Sequence, residues 1–204
     1  MNKNFQELEL KYYVNDLDHL RERVISLGAE CTQPRVQEIN LRFDSLDYEL
    51  SSAGKALRLR YDTEARITFK GPSQSKEGVR LRQEIEFIAD NFQAAREFLL
   101  ALGYQVILVY EKFRTTYVVD DLQILLDELP YGNFIEIEGV VPAKIREISE
   151  RLGLNWEARI SESYTVLFDH LKEQLGLNFN NLVFENFQGL KITAQDLNVL
   201  PADE

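Results

Sequence analysis

The chain has 204 residues, with 34 acidic residues against 23 Lys and Arg and a formal charge of −11; this length suits one domain with a real core. A hydrophobic share of 45% and a charged share of 28% exclude wholesale disorder. The acidity argues against coating nucleic acid or an anionic membrane, although a small, locally basic pocket is compatible with it.

The single cysteine, Cys31, cannot form an intrachain disulfide and fits a reducing, cytoplasmic setting. The first residues, Met1 to Gln6, lack the apolar run of a signal peptide. No stretch approaches the roughly 18 consecutive apolar residues of a membrane span.

Taken in chain order, three segments share one plan: a Glu-x-Glu strand, an amphipathic helix, then Leu-Gly. Glu7-Leu8-Glu9 opens the first strand, and Asp16 is placed to cap a helix with apolar positions Leu17, Leu20, Val24 and Leu27, ending at Gly28. The second unit runs from Glu84-Ile85-Glu86-Phe87 through Asp90, as cap, to a stripe of Phe92, Ala95, Phe98, Leu99 and Leu102 before Gly103. The third runs from Glu136-Ile137-Glu138 past Pro142 to Ile145, Ile148, Leu152 and Gly153. Gln6-Glu7-Leu8-Glu9 matches Gln83-Glu84-Ile85-Glu86, which points to internal duplication.

Between these units the alternation predicts strands over Val36 to Asp44, Ala56 to Asp62, Ala65 to Lys70 and Val79 to Phe87. Further strands are predicted over Tyr110 to Val119, Leu122 to Leu126 and Phe134 to Val140. Turns are predicted at Ser51-Ser52-Ala53-Gly54, Gly71-Pro72-Ser73, Asp120-Asp121 and Pro130-Tyr131-Gly132-Asn133. A last helix is expected from Ser161, with Tyr164, Leu167, His170 and Leu171 on one face and Trp156 as its anchor. Residues 1–175 form the predicted domain, and residues 176–204 a tail docked on it. Strands outnumber helices and look hairpin-connected, so the fold class is α+β, an antiparallel sheet with helices outside. So many consecutive strands curl or close, and closure leaves an interior.

Residues two apart in a strand share a face. Glu7, Glu9 and Lys11 therefore point together, as do Arg58 and Arg60, Arg66, Thr68 and Lys70, and Arg80, Arg82, Glu84 and Glu86. Lys112 with Arg114, and Glu136 with Glu138, behave alike, and Asp127 stands just past Ile124-Leu125-Leu126. One reading is a wet sheet face with acids and bases paired across strands. The other is a lining for a polyanion bridged to carboxylates by a cation. The second draws on two features: the scarcity of Ser, Thr and Gln on that side, and the gathering of basic and acidic pairs on separate strands.

Other motifs fail. Gly71 to Gly78 lacks the Gly-Lys-Ser/Thr ending of a phosphate loop, and there is no His-Glu-x-x-His or paired-cysteine zinc pattern. His19 and His170 fall in predicted helices in packing or surface roles, and Cys31 lacks an activating motif.

Glu7-Leu8-Glu9-Leu10-Lys11 matches the ExExK signature of the CYTH superfamily, the triphosphate tunnel metalloenzymes. Leu57-Arg58-Leu59-Arg60, Thr68-Phe69-Lys70-Gly71-Pro72, Arg82-Gln83-Glu84-Ile85-Glu86, Glu111-Lys112-Phe113-Arg114, Leu126-Asp127-Glu128 and Phe134 to Gly139 follow in family order. The resemblance implies a closed eight-stranded antiparallel barrel, a tunnel, with helices packed outside and Mg²⁺ or Mn²⁺ held by its acids. Carried over by position, Glu7 and Glu9 would be metal ligands, joined by Glu136, Glu138 and Asp127. Lys11, Arg58, Arg60, Lys70, Arg82, Lys112 and Arg114 would grip the triphosphate; Glu7, Glu9 and Lys11 would be catalytic. Glu84 and Glu86 would be metal or water partners, or ion-pair supports, while Arg66 and Arg80 are weaker carry-overs near a tunnel mouth.

The resemblance implies a metal-dependent enzyme acting on a small-molecule triphosphate, with no nucleic acid or membrane partner, and it admits a homodimer. Hydrolysis of tripolyphosphate, thiamine triphosphate or a nucleoside triphosphate asks least of the site, because it requires no recognition of base or ribose. Class IV adenylyl cyclases share the chain's length and motif order, but many carry Tyr-Phe-Asp where this chain has Leu41-Arg42-Phe43-Asp44. The cyclase reading stays open beside the hydrolase. A non-catalytic polyphosphate or nucleotide binder is the reading of another class.

Overall fold

The computed structural model describes residues 6–203. Its strands are β1 (Gln6–Val14), β2 (Glu30–Asp44), β3 (Ala56–Tyr61), β4 (Ala65–Lys76) and β5 (Val79–Ala89), then β6 (Gln105–Val119), β7 (Leu122–Leu129), β8 (Gly132–Gly139) and the short β9 (Arg159–Ile160). The helices are α1 (Leu17–Ser26), α2 (Glu49–Ser52), α3 (Phe92–Ala101), α4 (Pro142–Arg151) and α5 (Tyr164–Leu175). All strand pairings are antiparallel, in the order β5-β4-β3-β2-β6-β7-β8-β1, and β1 pairs again with β5 to close an eight-stranded barrel. Beyond the end of the β5 pairing, β9 takes the same edge of β1, setting Lys11 opposite Ile160.

Alternation decides which side of each strand faces the helices. Leu8, Leu10 and Tyr12 of β1 point outward into a buried cluster with Leu17, Leu20 and Val24 of α1 and Ile145 and Ile148 of α4. A second cluster joins Tyr13, Phe134 and Tyr131 of the barrel to Leu167, Phe168 and Leu171 of α5. A third sets Ala95 and Leu99 of α3 against Phe43, Leu59 and Ile67. Each fully buried aliphatic or aromatic side chain contributes about 1.5–3 kcal/mol. This outer packing lets the inner face be polar.

The three repeated strand–helix units are present, as β1–α1, β5–α3 and β8–α4. The first two end at Gly28 (φ 81°) and Gly103 (φ 92°), where a side chain would strain the left-handed backbone. Asp16 caps α1 through the amide of His19, at 2.9 Å. At α3 the cap is Asn91 rather than Asp90: its Oδ1 accepts from the Ala94 amide at 2.8 Å.

Several strands exceed the predicted lengths. β2 starts at Glu30, absorbing Pro34 through register shifts against β6. β4 runs through Gly71-Pro72 as a bulge, and the turn falls at Glu77-Gly78 instead. β6 begins at Gln105 and β7 reaches Leu129. The predicted turn at Ser51–Gly54 overlaps the second half of α2, whose amides of Leu50 and Ser51 donate to the Asp44 carboxylate.

The last helix begins one turn later than expected, capped by Ser163. Its buried face carries Phe168, while His170 is exposed. Trp156 is half-buried in a 3₁₀ turn against the first cluster, between Arg146 and Arg159.

Beyond α5 the chain returns over the barrel. Leu182 bridges to Tyr110, Pro201 bridges to Tyr13, and Leu182, Phe187, Leu197 and Ala202 are buried. Asp203 accepts the amides of Asn15 and Asp16 at the end of β1. Among the described residues no helix is long and apolar enough to cross a membrane.

Candidate functional site: a charged tunnel

The inward faces enclose a cavity of about 620 Å³. Every residue expected to line it does so, with Asp127 excepted: Glu7, Glu9, Lys11, Arg58, Arg60, Lys70, Arg82, Glu84, Glu86, Lys112, Arg114, Glu136 and Glu138. Arg66 and Arg80 line it too, Arg66 held by Asp62 and Glu64 of the β3–β4 turn.

The register assembles the acids. Glu9 on β1 lies opposite Glu138 on β8, and Lys11 opposite Glu136. Glu7, Glu9 and Glu138 each bring a carboxylate oxygen within 4.8 Å of the other two. Burial, then Glu7 and Glu136, push the Glu138 carboxyl up to about 8, against the pull of Arg114 and Lys70. Burial also pushes Glu7 up, with Glu84 adding to it and Lys70 opposing. Three hard oxygen donors converging on one point of the lumen, with the Glu7 and Glu138 carboxyls raised despite nearby cations, fit a divalent cation of the Mg²⁺ or Mn²⁺ type.

Two other expected ligands are engaged elsewhere. Glu136 pairs with Lys11 at 2.8 Å and with Arg114 at 2.5 Å, and these cations hold it well below the usual carboxylate range despite burial. Asp127 is fully buried behind the lining. Its oxygens accept from Lys112 Nζ (2.9 Å), Arg114 Nε (2.6 Å) and the Tyr164 hydroxyl (2.8 Å). It therefore braces the cations and does not join the carboxylate cluster.

The basic and acidic blocks, separate along the chain, interleave once the barrel closes. Lys70 reaches Glu7 at 2.8 Å and Glu84 at 2.7 Å; Arg80 meets Glu9 at 2.9 Å. Arg58 touches Thr68 at 3.2 Å and Tyr110 at 3.4 Å, with Glu86 at 3.6 Å. Arg60 lies 3.4 Å from both Glu38 and Glu86. Arg82 donates to the Gly71 carbonyl at 2.7 Å.

Several tunnel residues escape the sequence motifs, among them Glu38, Arg42, Tyr110 and Tyr164. Glu38, 1% exposed, sits among cations: burial alone would raise it, but Lys112, Arg114, Arg60 and Arg58 hold it at about 2. Arg42 lines the same cavity. The alternation of Glu38, Asn40 and Arg42 with Ile39, Leu41 and Phe43 carries the signal for both. Tyr110 and Tyr164 also face the lumen, and Lys11 Nζ lies 4.2 Å from the Tyr164 ring centre. Nothing in the spacing of α5 says that its first residue reaches inside the barrel.

Known proteins resemble this chain in sequence and in fold. The chain is 29% identical over 174 residues to the adenylate cyclase CyaB of Aeromonas hydrophila, covering 79% of this chain and 87% of that one. A solved putative adenylate cyclase from Vibrio parahaemolyticus superposes with a TM-score of 0.73 at 23% identity, covering 80% of this chain and 97% of that one. A putative adenylyl cyclase from Hippeastrum, described as revealing a dominant triphosphatase activity, gives 0.61 at 17% identity, covering 80% and 95%. The CYTH domain matches residues 6–151, and the chain belongs to that family.

Proposed function

We propose that this protein is a divalent-metal-dependent enzyme that processes a triphosphate inside the tunnel, with hydrolysis as the leading reaction. The observation that carries the reading is the composition of the lumen. Among the described lining residues only Ala56 and Leu125 are aliphatic, and the rest are charged, polar or tyrosine. Such a lining binds a phosphate chain strongly and offers no apolar slot for a base.

Glu7, Glu9 and Glu138 would hold the metal. When bound, it supplies charge neutralisation at phosphate oxygens and a more acidic water. Lys11, Arg58, Arg60, Lys70, Arg82, Lys112 and Arg114 bind and orient the phosphoryl groups, Arg forks matching their oxygens bidentately. Most of these cations are already paired with carboxylates, so they exchange one anion for another as substrate enters. Glu38, Glu136 and Asp127 hold Lys112 and Arg114 in place through ion pairs. The reaction then needs positioning and charge stabilisation more than covalent chemistry.

Adenylyl cyclase is the second reading, favoured by the 29% identity to an adenylate cyclase. There the ribose 3′-hydroxyl would lose its proton and attack the α-phosphorus, with pyrophosphate leaving. Product analysis with tripolyphosphate, thiamine triphosphate and ATP, each with Mg²⁺ or Mn²⁺, separates the readings. Orthophosphate release supports the hydrolase, and cyclic AMP with pyrophosphate replaces it by the cyclase. Binding of all three without product refutes both.

A further inference from the structure

Among the described residues, the basic side chains of the tunnel have acceptors, with one exception. The others are ion-paired, apart from Arg82, which donates to the Gly71 carbonyl. Arg42 lines the cavity with no carboxylate in ion-pair reach, and its buried Nε has no acceptor. The nearby Asp44 carboxylate is occupied by the amides of Ser45, Leu50 and Ser51. Burial pulls Arg42 below the usual guanidinium range and neighbouring Arg58 adds to that pull, while Tyr110, Asp44 and Asp169 oppose it without reversing it.

The surroundings share this lack. Arg58 lies opposite Arg42 in the β2–β3 register, and its Nε is likewise buried without an acceptor. Asn40, two residues before Arg42 on the same inward face, is 0% exposed, and neither amide atom has a partner. Tyr110, opposite Asn40 on β6, has its hydroxyl pulled down by Arg58, Lys112 and Arg42 against the effect of burial. A guanidinium with no counter-ion beside a second guanidinium, and a buried amide with no partner, are costly unless a ligand supplies the negative charge and the missing hydrogen bonds.

We infer that Arg42, Asn40 and Arg58 form an additional phosphoryl subsite adjoining the triphosphate grip, and that the substrate is an inorganic polyphosphate of four or more phosphoryl groups. This rests on the triphosphate reading, because Arg58 belongs to both subsites and makes the extra group the next in the same chain. A neutral base in this corner would leave the charge of Arg42 unmet, whereas a phosphoryl group meets it with oxygens for both guanidinium forks.

Calorimetric titration of the full chain in EDTA, with tripolyphosphate and then tetrapolyphosphate, tests the subsite without turnover. Tetrapolyphosphate is expected to bind about tenfold tighter, the gain of one charge-assisted contact set. Arg42→Gln should collapse that ratio toward one, Arg42→Lys should retain most of it, and Arg58→Gln should weaken both ligands together. If Arg42→Gln melts early, Asn40→Ala serves in its place, with a fall in the ratio of roughly threefold.

Equal affinities in the unsubstituted protein, or a ratio untouched by these substitutions, overturn the subsite while leaving the triphosphate reading standing. Binding of neither polyphosphate, in EDTA or with Mg²⁺ added, overturns the triphosphate reading itself. ATP binding more tightly than both would assign the corner to a nucleoside and refute the inference.

Discussion

Replacing Asp127 by Asn separates a metal ligand from a structural counter-ion. The carboxylate is fully buried and accepts from Lys112, from Arg114 through two nitrogens, and from Tyr164. The amide keeps one acceptor oxygen but presents N–H donors to groups that are themselves donors. Glu38 and Glu136 remain as partial partners for the two cations. Removing one member of a buried ion cluster costs about 3–5 kcal/mol. For a chain of this size that corresponds to a fall in melting temperature of roughly 6–20 °C, at about 2–4 °C per kcal/mol. The assay is thermal unfolding followed by circular dichroism in EDTA, where a metal ligand would contribute nothing. A variant that melts within 2 °C or so of the parent in EDTA, yet no longer gains stability from added Mg²⁺, would refute the bracing role.

Glu7→Gln, Glu9→Gln and Glu138→Gln should each abolish metal-dependent turnover with the fold retained, checked by phosphate release beside a far-ultraviolet spectrum; full activity in any one removes it from the ligand set. Arg58→Ala should weaken tripolyphosphate binding by about 1.5–3 kcal/mol, the worth of one charge-assisted hydrogen bond, read by calorimetry. Glu38, held at about 2 against an ordinary 4.5, contributes stability above pH 4.5 that is lost as pH falls toward 2. That contribution is about 3 kcal/mol. Glu38→Gln should therefore flatten the dependence of urea midpoints on pH across that window, and an unchanged slope would contradict it. Gly139→Ala should destabilise by about 1–3 kcal/mol through overpacking. Its new methyl would run into the Leu122 side chain, and an unchanged denaturation midpoint would refute this.

Much of the site was legible because a strand converts sequence parity into direction. Glu7, Glu9 and Lys11 alternate with Leu8, Leu10 and Tyr12, and burial of the apolar set on α1 and α4 forces the charged set inward. The same rule applies to Glu38 and Arg42, which alternate with Ile39, Leu41 and Phe43 but fall in no family motif. Bulges were less legible. Gly71-Pro72 has turn chemistry, yet β4 continues through it because its partner β5 extends alongside.

By itself the sequence determined the α+β class, the repeated strand–helix units and which charges share a face, since these depend on local periodicity and on where apolar area can be buried. The closed tertiary structure decided which charges meet. Closure through β1 and β5 brings Lys70 to Glu7, gathers Glu7, Glu9 and Glu138, and leaves Arg42 without a carboxylate partner. It also withdraws Asp127 behind Lys112, Arg114 and Tyr164. Parity along a strand says inward or outward but nothing about depth or about the opposite wall. Those distances exist only once β1 pairs with β5.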